Sequence, residues 1–229
     1  MTRRNKLLKF TENLTFQNVY ESFAFGDPKL KGPGGEEIVM TGKWKEVFFK
    51  NDNPITVELA CGRGEYCLGL AERYPDRNFI GVDVKGARIW RGAKNAIDRS
   101  LNNVVFLRTK IESLELFLLP EEIEEIWITF PDPFLKDSKY NRRLTSPNFL
   151  KIYKSLIPYG GPIHLKTDSE PFYLHTKEVI QEGKHETMID CGDIYAEELP
   201  HPDLDILTFY ERMHLKDNRT IHYLKFRIR

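Results

Sequence analysis

Short apolar runs alternate with segments of helical periodicity through most of the chain. The run ITVELA at residues 55–60 leads into a glycine-containing turn, which is typical of a buried strand. Similar apolar runs recur, and the segments between them space their apolar residues three or four apart, as on one face of a helix. The further predicted strands cover residues 78–82, 104–107, 126–130 and 163–166, and two predicted helices cover residues 147–156 and about 171–182.

Repeated alternation of strand and helix predicts an α/β fold with a mostly parallel sheet and helices on both faces. Near the end of the chain, Leu224, Phe226 and Ile228 alternate with charged residues, and this period of two predicts a further, half-buried strand. The pattern divides the chain into a basic, partly helical N-terminal extension (residues 1–53) and one alternating domain (residues 54–229).

Composition excludes several classes of protein. The 34 Lys and Arg residues balance the 34 Asp and Glu residues, so the net charge of zero argues against a purely electrostatic nucleic-acid binder. The three cysteines form no C-x-x-C pair, and the six histidines lack metalloprotease spacing, so we expect neither a disulfide framework nor a metal site. No signal-peptide core or membrane-length apolar stretch is present, so we expect a soluble, cytoplasmic protein without membrane contact.

The first predicted strand ends in a loop with features of a nucleotide site. Gly62 and Gly64 allow the backbone to approach a ligand, and Glu58 just before them suits a ligand that carries an ammonium group. A dinucleotide fingerprint needs a third glycine where this chain has Cys67, which disfavours a dehydrogenase. The two glycines alone are equally compatible with a plain tight turn.

Asp83 ends the second predicted strand, where a carboxylate can accept both ribose hydroxyls of an adenosine. The alternative is that Asp83 caps the following helix. Together with Glu58 and the glycines, it resembles the S-adenosylmethionine site of Rossmann-like methyltransferases. Thr109, after the third strand, stands where many such enzymes have an Asp, so the adenine contact there is expected from the backbone.

The fourth predicted strand ends in the rigid sequence Phe-Pro-Asp-Pro, in which Asp132 is held by a proline on each side. Its place at the carboxyl end of the strand predicts a position near the transferred group, and the alternative is a solvated loop residue. The segment that follows has four basic residues and one acidic residue, Asp137. Its net charge of 4 − 1 = +3 suits binding of a polyanion. The basic residues are Lys136, Lys139, Arg142 and Arg143.

Two further carboxylates are candidates for reading a base. Asp168 follows the fifth strand, and Glu211 lies in the late segment Thr-Phe-Tyr-Glu. A carboxylate can accept hydrogen bonds from N1–H and the amino group of guanine, although Asp168 could instead cap the next helix. A second basic stretch, residues 85–99, carries 5 − 1 = +4 and could equally be ordinary solvated surface.

Taken together, these motifs resemble the tRNA (guanine-N7)-methyltransferase family over nearly the whole chain. The matching stretches are VELACGRGEY, FIGVDVKGAR, WITFPDPFLKDSKYNRRL, HLKTD and TFYE. The chain departs from the family pattern at three positions. Ala60 stands where the first glycine usually is, Thr109 stands where many members have an Asp, and Phe134 stands where many members have a Trp.

The resemblance implies a Rossmann-like class I methyltransferase with an antiparallel C-terminal strand, S-adenosylmethionine as cofactor and tRNA as partner. Its implied reaction is methylation of N7 of a guanosine in the tRNA variable loop. The sequence leaves open whether the protein is a monomer or a homodimer. The implied cofactor residues are Glu58, Gly62, Gly64, Asp83, Thr109 and Asp132, with Asp132 also catalytic. The implied substrate residues are Lys136, Asp168, Thr208, Tyr210 and Glu211, with RNA backbone contacts from Lys139, Arg142 and Arg143.

Three other functions stay open from the residues alone. A Rossmann-like methyltransferase with another acceptor would share the cofactor pocket and differ in substrate. A non-catalytic RNA-binding module would fail to bind S-adenosylmethionine. A nicotinamide-dependent dehydrogenase would bind NAD instead.

Overall fold

The structure is a computed structural model that describes residues 3–22 and 28–229; the side chains of residues 1–6, which make the start of the chain basic, lie outside the described part. Within it, eight strands form one sheet in the order β1-β4-β3-β2-β5-β6-β8-β7. The strands are β1 Val19–Glu21, β2 Ile55–Leu59, β3 Asn78–Asp83, β4 Val104–Arg108, β5 Glu125–Thr129, β6 Pro162–Thr167, β7 Glu186–Cys191 and β8 His222–Arg227.

The predicted α/β fold is confirmed. The five apolar runs coincide with β2 to β6 within one residue at each end, and all pairs among β1 to β6 are parallel. The period of two near the end forms β8, which lies antiparallel between β6 and β7. The sequence analysis did not identify β1 or β7.

Helices cover both faces of the sheet. Because side chains alternate along a strand, Trp127 packs with α2 and α3 on one face, and its neighbours Ile126 and Ile128 pack with α4 and α5 on the other. The helices are α1 Arg3–Asn13, α2 Glu65–Arg73, α3 Gly86–Asp98, α4 Pro147–Leu156, α5 Glu170–Glu182 and α6 Phe209–Lys216.

The N-terminal segment takes part in this architecture. Strand β1 extends the sheet by pairing with β4, and Tyr20 faces Leu107 in the register. Trp44 is fully buried, and its indole N–H donates to the carbonyl oxygen of Phe117 at 2.8 Å. Residues before position 54 therefore contribute to both the sheet and the core. Among the described helices, none has the length and apolar character needed to cross a bilayer.

Candidate active site

The loop between β2 and α2 uses each of its small residues differently. A Cβ at Gly64 would lie 2.4 Å from the ring of Phe106, so this glycine is needed for packing. A Cβ at Gly62 would meet no atom closer than 4.0 Å, so its face is open to a ligand. Ala60, at the place of the missing glycine, has a φ of 56° and keeps the left-handed backbone at some steric cost.

Glu58 is buried beneath this loop. One carboxylate oxygen accepts from the backbone N–H of Cys67 at 3.0 Å, and the other accepts from the hydroxyl of Thr129 at 2.7 Å. Burial raises the pKa of Glu58 to about 7, against the lowering effect of these hydrogen bonds. Glu58, which lies on β2, thereby links the start of α2 to the end of β5.

Asp83 fixes the same loop from β3. Its carboxylate accepts from the backbone N–H of Gly62 at 2.9 Å and from that of Lys85 at 2.7 Å. Since a carboxylate offers about four acceptor positions, two remain for the ribose hydroxyls of an adenosine. Helix α3 has Lys85 at its N-cap, without a side-chain cap. Thr109 is buried directly after β4, beside this position in the sheet.

A cleft of about 590 Å³ opens where β5 and β6 end. It brings three of the predicted residues together, namely Asp132 from the β5 loop, Asp168 from the end of β6, and Tyr210 from α6. The carboxyl ends of parallel strands meet at one edge of the sheet, which explains the convergence. The remaining lining residues are Arg88, Phe130, Pro131, Pro133, Leu135, Ser169, Glu170, Pro171, His214 and Arg219.

Asp168 lies beside two nitrogen-bearing side chains in the cleft. Its Oδ2 accepts from Arg219 Nη1 at 2.7 Å, and His214 Nε2 lies 3.5 Å from the same oxygen. The adjacent Ser169, and not Asp168, caps helix α5 by accepting from the backbone N–H of Phe172. The carboxylate of Asp168 is therefore directed at the cleft instead of the helix end.

The Thr-Phe-Tyr-Glu segment is divided between two environments. Tyr210 lines the cleft, and its hydroxyl accepts from Arg88 Nη2 at 2.9 Å. Thr208 and Glu211 do not line it, because they form a reciprocal capping box at the start of α6. Glu211 is fully buried and binds Lys166 Nζ at 2.7 Å and the hydroxyl of Tyr195 at 2.7 Å.

Helix α6 also contacts the glycine loop. The backbone N–H of Phe209 donates to the carboxylate of Glu65 at 2.6 Å, and the guanidinium of Arg63 lies 4.4 Å from the Phe209 ring centroid. Arg88, which hydrogen-bonds Tyr210, also has its Nη1 4.0 Å from the position that a Cβ on Gly62 would occupy. One helix therefore contacts both the glycine loop and the cleft.

The basic segment after β5 lies at the surface in a short 3-10 turn, Asp137–Arg142. Lys136, Lys139 and Arg142 are exposed and available to a polyanion. Arg143 is half-buried and donates to the carbonyl oxygens of Phe134 and Leu135 at 3.2 and 3.3 Å. Arg143 thus braces the loop that carries Asp132.

The sequence analysis missed several residues that complete this site. Lys166 is fully buried at the end of β6 and donates to the carbonyl oxygen of Leu204 and to Glu211. Burial lowers the pKa of its ammonium group, which Glu211 counteracts. The available signal was a lysine at an inward position of an apolar strand. His214 and Arg219 follow the TFYE motif and carried no signal of their own. Across the described residues, no three of the His, Cys, Asp and Glu side chains are grouped to hold a metal ion.

Comparison with known proteins shows which family the chain is similar to. Residues 52–224 match a family described as "Putative methyltransferase". The chain is similar to the tRNA (guanine-N(7)-)-methyltransferase of Christiangramia forsetii, with 44% identity over 100% of both chains. It is also similar to the enzyme of that name from Bacteroides fragilis, with 42% identity over 97% of this chain and 85% of the other.

Solved structures show the same fold at low identity. The 16S rRNA methyltransferase KamB superposes with a TM-score of 0.63 and 15% identity, covering 85% of this chain and 97% of KamB. A point mutant of the 16S rRNA (adenine(1408)-N(1))-methyltransferase from Catenulisporales acidiphilia, solved with cosubstrate SAM, superposes with a TM-score of 0.59 and 13% identity. The superposition covers 84% of this chain and 93% of the mutant enzyme.

Proposed function

This chain belongs to the tRNA (guanine-N7)-methyltransferase family, and we propose that it transfers a methyl group from S-adenosylmethionine to N7 of a guanosine in the variable loop of tRNA. The observation that carries the site assignment is the meeting of Asp132, Asp168 and Tyr210 in one cleft beside the open face of Gly62.

S-adenosylmethionine fits the residues at the strand ends and, when bound, supplies a methyl group activated by a sulfonium. Gly62 offers the open backbone face, Asp83 retains two acceptor positions for ribose, and Thr109 lies beside them at the end of β4. Glu58 and Gly64 act by holding the loop in shape, because Glu58 bonds protein groups with both oxygens and Gly64 packs on Phe106.

Guanine N7 carries a free lone pair, so methylation releases no proton from the base at that atom and needs no general base. The chain's contribution is to orient the reactants, which can supply roughly 7–11 kcal/mol of barrier reduction. Asp132 is held rigidly between Pro131 and Pro133 and stabilises the positive charge that develops on the guanine. Asp168 accepts hydrogen bonds from the guanine edge, and Tyr210 forms a wall of the same cleft.

The RNA backbone meets the exposed basic residues after β5. Lys136, Lys139 and Arg142 bind phosphates directly, and Arg143 positions the loop through its bonds to Phe134 and Leu135. Thr208 and Glu211 act through α6, which they start and anchor. We propose that the reaction uses no metal ion. We also propose that the protein is cytoplasmic and acts as a monomer or a homodimer.

Methyl transfer from labelled S-adenosylmethionine to unmodified tRNA transcripts, followed by nucleoside analysis, tests the function. We expect label in 7-methylguanosine at the variable loop, and its loss in Asp168→Ala. The matched control is Asp76→Ala, an exposed aspartate in the turn after α2, which should retain full activity. Label in another nucleoside would show that the enzyme methylates a different atom from guanine N7. Cofactor binding without any label in tRNA would point to another acceptor.

A further inference from the structure

Arg219 forms an ion pair with Asp168, the residue assigned to base recognition. It lies between α6 and β8, lines the cleft, and donates from Nη1 to Oδ2 of Asp168 at 2.7 Å. The imidazole of His214 lies near the same oxygen, with Nε2 at 3.5 Å. The Arg219 side chain is 50% exposed and that of Asp168 is 18% exposed, so the guanidinium faces solvent at the mouth of the cleft.

A guanidinium and the Watson–Crick edge of guanine offer a carboxylate the same chemistry. Both are planar N–C–N groups that present N–H donors side by side. Arg219 therefore stands at Asp168 where N1–H and the amino group of a guanine would bind. A guanine that donates from both N1–H and its amino group uses both oxygens of Asp168, and Arg219 already donates to Oδ2, so the two donors compete for that oxygen.

Resting on the proposed function, we infer that Arg219 is a positioning residue that exchanges partners when RNA binds. Without RNA its hydrogen bond to Oδ2 holds the carboxylate of Asp168 directed into the cleft. An entering guanine replaces it at Asp168, and the released guanidinium binds a phosphate of the nucleotide that has entered. Exposed ion pairs are weak enough for such an exchange, and guanidinium groups suit phosphate oxygens.

The exchange selects guanine over the other purine. Adenine presents an acceptor, N1, where guanine presents N1–H, so it would meet Asp168 with repulsion between lone pairs. It could not repay the loss of the Arg219–Asp168 pair. Asp168 would thus exclude bases that lack the donors, because only a base with those donors compensates for the loss of Arg219.

Arg219→Gln should strengthen binding of free guanosine and weaken binding of tRNA. Without the competing cation, free guanosine, which carries no phosphate, should inhibit methyl transfer about two- to fivefold more strongly than in the wild type. The KM for tRNA should instead rise several-fold, and the slope of log KM against log salt should fall by about one, because a phosphate contact is lost. Adenosine should show no gain in inhibition.

Two variants serve as controls. Arg219→Lys keeps a charge for phosphate and should retain the wild-type salt slope, and Lys216→Gln removes an exposed charge outside the cleft and should change neither readout. Weaker guanosine inhibition in Arg219→Gln, or an unchanged salt slope, would overturn the exchange. Production of 7-methylguanosine by the wild type is measured in the same assay, so failure of the proposed function would be seen separately.

Discussion

Asp132 is an exposed carboxylate between two prolines, so removing its charge should affect the reaction and leave the fold intact. We expect Asp132→Asn to lower kcat about 10²–10³-fold, the usual loss when one preorganised electrostatic contact to a developing charge is removed. Single-turnover methyl transfer measures it, with the Tm as a check on folding. Asp137→Asn, an exposed aspartate five residues later, is the matched control. A kcat near the wild-type value would refute the electrostatic role.

Glu58 makes stability depend on pH. Its folded-state pKa of about 7 lies above the ordinary 4.5, so its favourable contribution is full below pH 4.5 and is lost as the pH rises through 7. Between pH 4.5 and 8 the wild type should lose up to about 3 kcal/mol of unfolding free energy relative to Glu58→Gln, which cannot ionise.

Urea unfolding of both proteins across this pH range gives the difference directly. Glu178→Gln, an exposed site on α5, should follow the wild type at every pH. A constant difference between wild type and Glu58→Gln would mean that burial does not shift the pKa of this carboxyl.

At these single positions, the sequence predicted the places of the carboxylates but not their partners. Asp132 and Asp168 could be assigned to the cleft because each follows an apolar run. The pairing of Asp168 with Arg219 could not, since 51 positions separate them and only the return of the chain after α6 brings them together.

Among the elements, α6 depends on one buried ion pair. Lys166→Met would leave Glu211 fully buried without its counter-ion and should lower the unfolding free energy by about 3–5 kcal/mol. The double variant Lys166→Met/Glu211→Gln removes both charges and should recover part of that loss. Urea unfolding measures all three proteins. Equal stability of the single and double variants would show that an unpaired Glu211 is not the cause.

The elements that the sequence predicted are those with buried faces. Strands β2 to β6 lie inside the sheet and have continuous apolar runs, so their bounds were predicted within one residue. Strand β7 lies at the edge with its residues only partly buried, and β1 has three residues, so neither shows a clear pattern. Helix α6 has few buried residues and is held by caps and ion pairs instead of an apolar face.

For the whole molecule, the N-terminal segment should be required for folding. Deleting residues 1–53 removes β1 from the edge of β4 and Trp44 from the core. We expect this truncated chain to lose the cooperative urea transition. A chain lacking only residues 1–16 keeps β1 and Trp44 and should unfold cooperatively, with reduced stability from the loss of α1. Circular dichroism during urea titration compares the two, and a cooperative transition in the longer deletion would contradict the expectation.

The position of β8 has a consequence for the order in which the protein is made. Strand β8 lies between β6 and β7 but is the last of the three to be synthesised. Until the chain has been made through β8, β6 has an unpaired edge, and until residue 219 has been added, Asp168 lacks Arg219, which precedes β8 by three residues. A nascent chain can therefore assemble most of the parallel sheet before the cleft is complete, so methyl transfer must await synthesis of the segment from Arg219 through β8.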